Sequence, residues 1–154
     1  MEHKIETQWM GKLQFNALIN GHTIIMDAPE RIGGEDAGPI PKPFVLAALS
    51  GCTGMDVVSI LRKQQIELID MLITVTGEIS KKHPIEYIGV HVKYDFKGLD
   101  EYRIQAIEAV NRSQNELCGV SSMMKKAMPV TWSVIYNNQE AFNNDFKQLQ
   151  KEEW

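Results

Sequence analysis

The chain of 154 residues has few cysteines, no basic cluster and no uncharged apolar run of membrane-spanning length. Two cysteines are too few for a disulfide scaffold or a four-thiolate zinc site. Lys plus Arg number 16 against 20 Asp plus Glu, so the formal net charge is -4. Nucleic-acid binding depends on neutralising phosphates, and docking on anionic lipid depends on clustered basic residues. The composition therefore argues against both kinds of partner.

The longest uncharged apolar-rich run covers residues 43–55 and has 13 residues. A membrane span needs roughly 20, so this run predicts a buried helix and no membrane partner. The charged residues Glu2, Lys4 and Glu6 leave no apolar core of the kind that a signal peptide needs. We therefore expect the protein in the cytoplasm.

Apolar residues make up 44% of the chain and charged residues 23%, which is typical of a soluble globular protein. The length predicts a single domain over residues 1–154. Residues 4–10 and 13–19 alternate as strands, and Asn20-Gly21 is a strong hairpin signal before a third strand at 22–26. The opening therefore predicts a β-meander.

Residues 28–43 are rich in glycine and proline and predict a long loop, placed to form a lid over the segment that follows. Residues 44–64 predict a helix whose first three turns have no charge on any side. A helix that is apolar all round is buried all round, and so small a chain needs a second copy to cover it. Gly51 and Gly54 each cost about 1 kcal/mol in a helix, which indicates close packing against the backbone there.

The rest of the chain mixes strands and helices, so the expected fold class is α+β. Strands are predicted at 66–80, 85–96 and 129–136, the first two forming a β-hairpin. Helices are predicted at 100–117, with Asp100 as a plausible N-cap, and near Val120. The polar tail, 137–154, has widely spaced aromatic residues and predicts either a surface helix that packs on a partner or a frayed end.

Cys52 lies in the middle of the apolar helix, where a cysteine is often only a small core residue. Asp56, however, is one helical turn further on and shares its face. A buried charge demands a partner, so this face predicts a pocket or an interface. Cys118 lies at a junction between elements, where its thiol can be reached.

A reactive Cys52 needs a nearby cation, because the thiolate is the nucleophile and Asp56 opposes its formation. The helix N-terminus is too far away to help, since its effect fades within a turn. The chain has four arginines. Arg31, in the loop over the helix, is the first choice. The alternatives are Arg62, Arg103 and Arg112.

Two segments carry a resemblance to a known family. Residues 43–58, P-x-x-L-A-A-L-x-G-C-T-x-x-D-V-V, resemble the central-helix motif of the OsmC/Ohr family, the osmotically inducible and organic-hydroperoxide-resistance proteins. Residues 116–121, ELCGVS, resemble the family's second-cysteine segment, and 65 residues separate the two cysteines. The order of elements also fits over essentially the whole chain.

The resemblance implies an OsmC-like fold and an intertwined homodimer with its sites at the interface. It implies that the Cys52 thiolate attacks an organic hydroperoxide to give an alcohol and a sulfenic acid, in oxidative or osmotic stress defence. Cys118 would resolve the sulfenic acid as a disulfide, which a dithiol or lipoyl-type reductant reopens. No cofactor and no metal is implied, and the four histidines show no ligand spacing with either cysteine.

One position departs from the pattern. Hydroperoxide-reducing members carry a glutamate about ten residues before the first cysteine, and this chain has Lys42 there. The G-C-T-x-x-D form of the motif resembles a third, less defined branch of the family. Three hypotheses therefore stay open: a two-cysteine peroxidase, a non-peroxidatic dimer that binds a small molecule or performs other thiol chemistry, and a structural interaction module.

Overall fold

The computed structural model describes residues 2–145, in two compact units that divide between Val45 and Leu46. The N-terminal unit contains a three-stranded antiparallel sheet in the order β1-β2-β3. Its strands are β1 (Glu6–Gly11), β2 (Gln14–Ile19) and β3 (His22–Met26). Asn20 and Gly21 both have positive φ, 50° and 83°, and join Ile19 directly to His22. The predicted meander and its two-residue turn are confirmed.

The loop after β3 is held by the buried carboxylate of Asp27. Oδ1 accepts the N–H of Ala28 at 2.7 Å, and Oδ2 accepts those of Glu35 at 3.0 Å and Ala37 at 3.1 Å. A Cβ on Gly34 would lie 1.8 Å from the carbonyl oxygen of Ala28, so only glycine fits there. The predicted loop is therefore ordered by its own backbone, and it contains one turn of 3-10 helix, Glu30–Ile32.

The second unit packs helices on a four-stranded sheet in the order β4-β5-β6-β7. The strands are β4 (Asp70–Ile79), β5 (Tyr87–Lys97), β6 (Val130–Tyr136) and β7 (Gln139–Asn143). Among these four strands, the β5–β6 pair is parallel and the other two pairs are antiparallel. The helices are α1 (Phe44–Lys63), which begins two residues before the division, α2 (Arg103–Arg112) and α3 (Gly119–Lys125). The core joins α1 and α2 to β5 and β6, so the predicted α+β class is confirmed.

Several local predictions differ from the structure. The helix predicted at 100–117 is divided into a 3-10 turn (Asp100–Tyr102), α2 and a π-helix (Ser113–Leu117). Asp100 does not cap α2, because its carboxylate instead accepts a hydrogen bond from Asn137 Nδ2 at 2.9 Å. The tail begins with strand β7 rather than a helix, and residues 146–154 lie outside the described part of the chain.

Helix α1 is long and apolar enough to cross a membrane by length and composition, a test that core helices also pass. Its face formed by Leu49, Val57 and Leu61 is buried in the core of the second unit. Met55 is 75% exposed on another face. Among the described residues only part of the helix is covered, so the all-round burial that the sequence predicts is not reached within them.

Candidate functional site

The two cysteines and one carboxylate meet in the second unit. Cys52 is partly buried on α1, and Asp56 follows one turn later. Cys118 is 3% exposed at the N-cap of α3, where its Sγ accepts the N–H of Ser121 at 3.4 Å. The Sγ atoms of Cys52 and Cys118 and a carboxylate oxygen of Asp56 all lie within 4.8 Å of one another. The resemblance implies a homodimer with its sites at the interface, and in the structure the two sulfurs already meet within one chain.

A π-helical turn delivers Cys118 to this position. Its N–H reaches back five residues to the carbonyl oxygen of Ser113 at 2.9 Å. The wider turn buries Ser113 and Gln114. Single π turns are uncommon in proteins, but those that occur often lie at functional sites. The chain is therefore shaped locally to place one thiol beside another.

A chain of buried hydrogen bonds leads to Asp56. Gln114 Nε2 lies 2.6 Å from Tyr94 OH, which lies 2.6 Å from Thr53 Oγ1. Thr53 Oγ1 lies 2.8 Å from Ser113 Oγ, which lies 3.0 Å from Asp56 Oδ2. A carboxylate only accepts, and the Gln114 amide N–H only donates. The chain therefore runs in one direction: Tyr94 donates to Thr53, Thr53 to Ser113, and Ser113 to the carboxylate.

The same network contacts the second cysteine's helix. Ser121 Oγ donates to Gln114 Oε1 at 2.6 Å, while Ser121 N–H donates to the Cys118 sulfur. The face that carries Asp56 was predicted to be a pocket or an interface, and Ser113 is the hydrogen-bond partner of its carboxylate. Tyr94, Ser113 and Gln114 were missed, because bonds across 41 and 60 residues leave no local signal.

Burial sets the protonation of two groups in the site. It raises the pKa of the Cys118 thiol to about 11; the Ser121 N–H opposes this shift, and contact with Cys52 adds to it. Burial also raises the pKa of Tyr94 to about 12, against the hydrogen bonds with Thr53 and Gln114. Both groups therefore keep their protons at neutral pH, and Cys118 is a thiol rather than a thiolate.

Lys125 is a cation of the second unit whose charge interacts with Cys118. Its ammonium donates to the carbonyl oxygen of Gln114 at 2.7 Å and lies 4.7 Å from the centre of the Trp132 ring. Burial lowers the pKa of Lys125, and the negative charge that Cys118 carries when it is ionised opposes that shift. Lys125 is not among the cations considered from the sequence, so this contact was missed.

The predicted arginines lie in different places. Arg31 belongs to the 3-10 turn of the N-terminal unit, and its role stays a prediction. Arg62 lies in the last turn of α1. Arg103 contacts Asp100 and Gln139, and Arg112 contacts Glu116.

A family model described as OsmC-like protein matches residues 33–133, which include both cysteines. The chain belongs to the OsmC family. Protein YhfA of Escherichia coli K12 is 31% identical over 127 residues, covering 82% of this chain and 92% of that protein. The resemblance drawn from the two cysteine motifs is thereby confirmed.

Solved structures show the fold of this OsmC-family chain. A hypothetical protein from Aquifex aeolicus superposes with a TM-score of 0.72 at 24% identity, covering 89% of this chain and 98% of that one. An organic hydroperoxide resistance protein OsmC from Legionella pneumophila gives 0.65 at 18% identity, over 88% and 97%. OhrB of Bacillus subtilis gives 0.62 at 20% identity, over 87% and 98%. The predicted OsmC-like fold is confirmed.

Proposed function

We propose that this OsmC-family chain is a cytoplasmic thiol peroxidase that reduces organic hydroperoxides, with Cys52 as nucleophile and Cys118 as resolving thiol. One observation carries the proposal: both sulfurs lie within 4.8 Å of each other, one partly exposed and the other buried. The names of the Legionella pneumophila and Bacillus subtilis proteins, organic hydroperoxide resistance proteins, support the choice of substrate.

The reaction balances with the groups present. The Cys52 thiolate attacks the distal oxygen of ROOH, the O–O bond breaks, and the alkoxide takes a proton to leave as ROH with a Cys52 sulfenic acid. Cys118 then attacks the sulfenyl sulfur, and its proton leaves with the hydroxyl group as water. A dithiol of lipoyl type reduces the resulting disulfide by exchange and becomes a disulfide itself.

The raised pKa of Cys118 suits the resolving role. Burial keeps this sulfur protonated, with a pKa of about 11, so it does not compete with Cys52 for the peroxide. Its proton is needed only when the sulfenic hydroxyl departs. The Ser121 N–H that contacts the sulfur offers a hydrogen bond to negative charge developing there.

The proposal assigns Arg31 as the cation that favours the Cys52 thiolate, in a homodimer. A planar guanidinium suits this task because it stays charged and can also be held by a carboxylate. Arg31→Gln is expected to lower kcat/KM by at least about tenfold, the scale at which lost electrostatic stabilisation acts. Arg62→Gln is the matched control, since it removes the same charge at the end of α1.

Peroxide consumption with cumene hydroperoxide and dihydrolipoamide tests the chemistry. Wild type is expected to turn over, Cys52→Ser to consume none, and Cys118→Ser to consume about one equivalent and stall as the sulfenic acid. Mass spectrometry distinguishes the sulfenic acid from the disulfide. Absence of wild-type turnover with dithiol and monothiol reductants would reject the proposal.

Asp56 favours a second candidate, a dimer that binds a small molecule or performs other thiol chemistry without reducing peroxides. Its carboxylate lies within 4.8 Å of both sulfurs, and a neighbouring negative charge opposes a thiolate. Lys42, which stands in place of the family glutamate, also favours this second candidate. The rate of Cys52 alkylation against pH separates the candidates, because an activated thiolate reacts at neutral pH and an ordinary thiol does so slowly.

A further inference from the structure

We infer that Cys52, Asp56 and Cys118 form a binding site for a thiophilic divalent cation of the zinc class. The inference does not rest on peroxidase activity, because it requires only that these three side chains converge in the reduced protein. Two sulfurs and one carboxylate oxygen, all within 4.8 Å of one another, are the donors. Thiolate and carboxylate ligands in a small set of this kind suit Zn²⁺.

The geometry is close to what zinc needs. Zinc–sulfur bonds of about 2.3 Å in a tetrahedron place two sulfurs about 3.8 Å apart, and a sulfur and an oxygen slightly closer. The present separations are 4.8 Å or less, so none exceeds these values by more than roughly 1.5 Å. Cys52 and Asp56 lie at i and i+4 on α1, the spacing at which two histidines of one helix bind zinc in metalloproteases.

The surroundings support the carboxylate as a ligand. Ser113 Oγ donates to one oxygen of Asp56 at 3.0 Å, and Ser113 is itself fixed by Thr53 at 2.8 Å. Outer hydrogen bonds of this kind orient metal ligands and raise affinity. The chain from Gln114 through Tyr94 therefore holds the carboxylate in place before any cation arrives.

The charges also balance. Binding replaces the two thiol protons, which pass to solvent, so two thiolates, one carboxylate and Zn²⁺ carry a net charge of -1 by simple addition. The Lys125 ammonium, which interacts with the charge on Cys118, offsets the remainder. Three protein ligands leave a fourth tetrahedral position for water or a small ligand. Forming the Cys52–Cys118 disulfide removes both sulfur donors, so the site exists only in the reduced protein.

Cobalt titration tests the site without peroxide or turnover. Reduced, desalted protein is titrated with Co²⁺ under argon. One equivalent per chain is expected to give sulfur-to-cobalt charge-transfer absorption and tetrahedral d–d bands, and Zn²⁺ to remove both. Protein oxidised to the disulfide is expected to give neither. A wild-type titration without charge-transfer absorption would overturn the inference.

Variants assign the ligands. Cys52→Ser and Cys118→Ser are each expected to weaken the charge-transfer band and reduce affinity by at least tenfold. Asp56→Asn is expected to reduce affinity by a similar factor, and Ser113→Ala by about 10–100-fold, the range for lost outer-shell support. Asp70→Asn, which changes an exposed carboxylate of the same unit, is the matched control.

Circular dichroism and thermal unfolding show that each variant is folded. Cobalt affinity that Asp56→Asn leaves at the wild-type value would overturn the three-ligand site, as would a charge-transfer band that survives loss of both thiols. Peroxide consumption is measured separately, so a chain that binds cobalt and does not reduce peroxide rejects only the proposed activity. A chain that reduces peroxide and does not bind cobalt rejects only the cation site.

Discussion

At the scale of single residues, Asp27 shows how one carboxylate can replace regular structure. Its two oxygens accept three backbone N–H groups spread over ten residues, from Ala28 to Ala37. Those groups belong to a loop and would otherwise need water or strand partners. The Ala28 N–H lowers the pKa of Asp27 most, burial opposes this, and the N–H groups of Ala37 and Glu35 lower it further. The loop is thus held best by the charged form.

Stability of this loop is expected to depend on acid. Because the folded pKa of Asp27 lies below its ordinary value of 3.8, the stabilisation is present above 3.8 and is lost as pH falls through the folded pKa. Asp27→Asn supplies only one acceptor oxygen, so it loosens the loop at neutral pH and removes this acid dependence. Amide hydrogen-exchange protection at Glu35 and Ala37 is the measurement. Asp36→Asn is the control, since asparagine tolerates the positive φ of 54° there; equal protection loss in both variants would contradict the prediction.

At the scale of elements, the sequence predicts those turns and boundaries that neighbouring residues determine. The turn at Asn20-Gly21 is predicted because both residues tolerate positive φ. The end of α1 is less accessible to such reasoning. Gln65 takes a φ of 59° and the Ile66 N–H returns to Leu61 at 3.0 Å, so β4 begins at Asp70 rather than at Ile66. Because Gln65 rather than a glycine takes the positive φ at this helix end, no glycine in the sequence marks it.

The candidate site likewise contains some residues that the sequence predicts and others that it does not. The two cysteines are found through motif resemblance, and Asp56 through its helical spacing from Cys52. The π turn and the hydrogen-bonded partners Tyr94 and Gln114 depend on contacts between distant segments, so no periodicity predicts them.

Of the two α1 glycines expected to face close neighbours, Gly54 does so. A Cβ there would lie 2.9 Å from Ile73 Cδ1, whereas one on Gly51 would meet nothing within 4 Å in the described chain.

The β4–β5 hairpin offers a matched pair of glycines. A Cβ on Gly77 would lie 2.5 Å from two ring atoms of Tyr87, whereas one on Gly89 would approach only Glu78 Oε2, at 3.9 Å. Gly77→Ala is therefore expected to lower the free energy of unfolding by about 1–3 kcal/mol, the usual cost of overpacking. Gly89→Ala is expected to be neutral or slightly stabilising, because alanine loses less backbone entropy. Urea denaturation compares the two, and equal effects would refute the steric argument.

At the scale of the whole molecule, the apolar residues left uncovered on α1 need an explanation. Gly51, Gly54, Met55 and Val58 line an open groove of about 610 Å³ together with Met71 of β4. Gly51 has open space above it, so another backbone can approach closely there. The sequence places uncharged residues on every side of this helix through its first three turns. A second copy of the chain, seated on this groove, would complete the burial that one copy leaves unfinished.

Met55→Glu tests whether this groove is the dimer contact. Burying a methionine side chain stabilises by about 1.5–3 kcal/mol, and each 1.4 kcal/mol changes a dissociation constant about tenfold. Replacing a 75% exposed Met55 with a charge that the contact would bury is therefore expected to raise the dimer dissociation constant at least about tenfold. Sedimentation velocity over a concentration series measures it. Ile104→Glu, at a residue 66% exposed on α2, is the control and is expected to leave the dimer intact. A wild type that stays monomeric at all concentrations would contradict the dimer. Equal weakening by both variants would place the contact elsewhere, because a charge buried at the interface selectively opposes association.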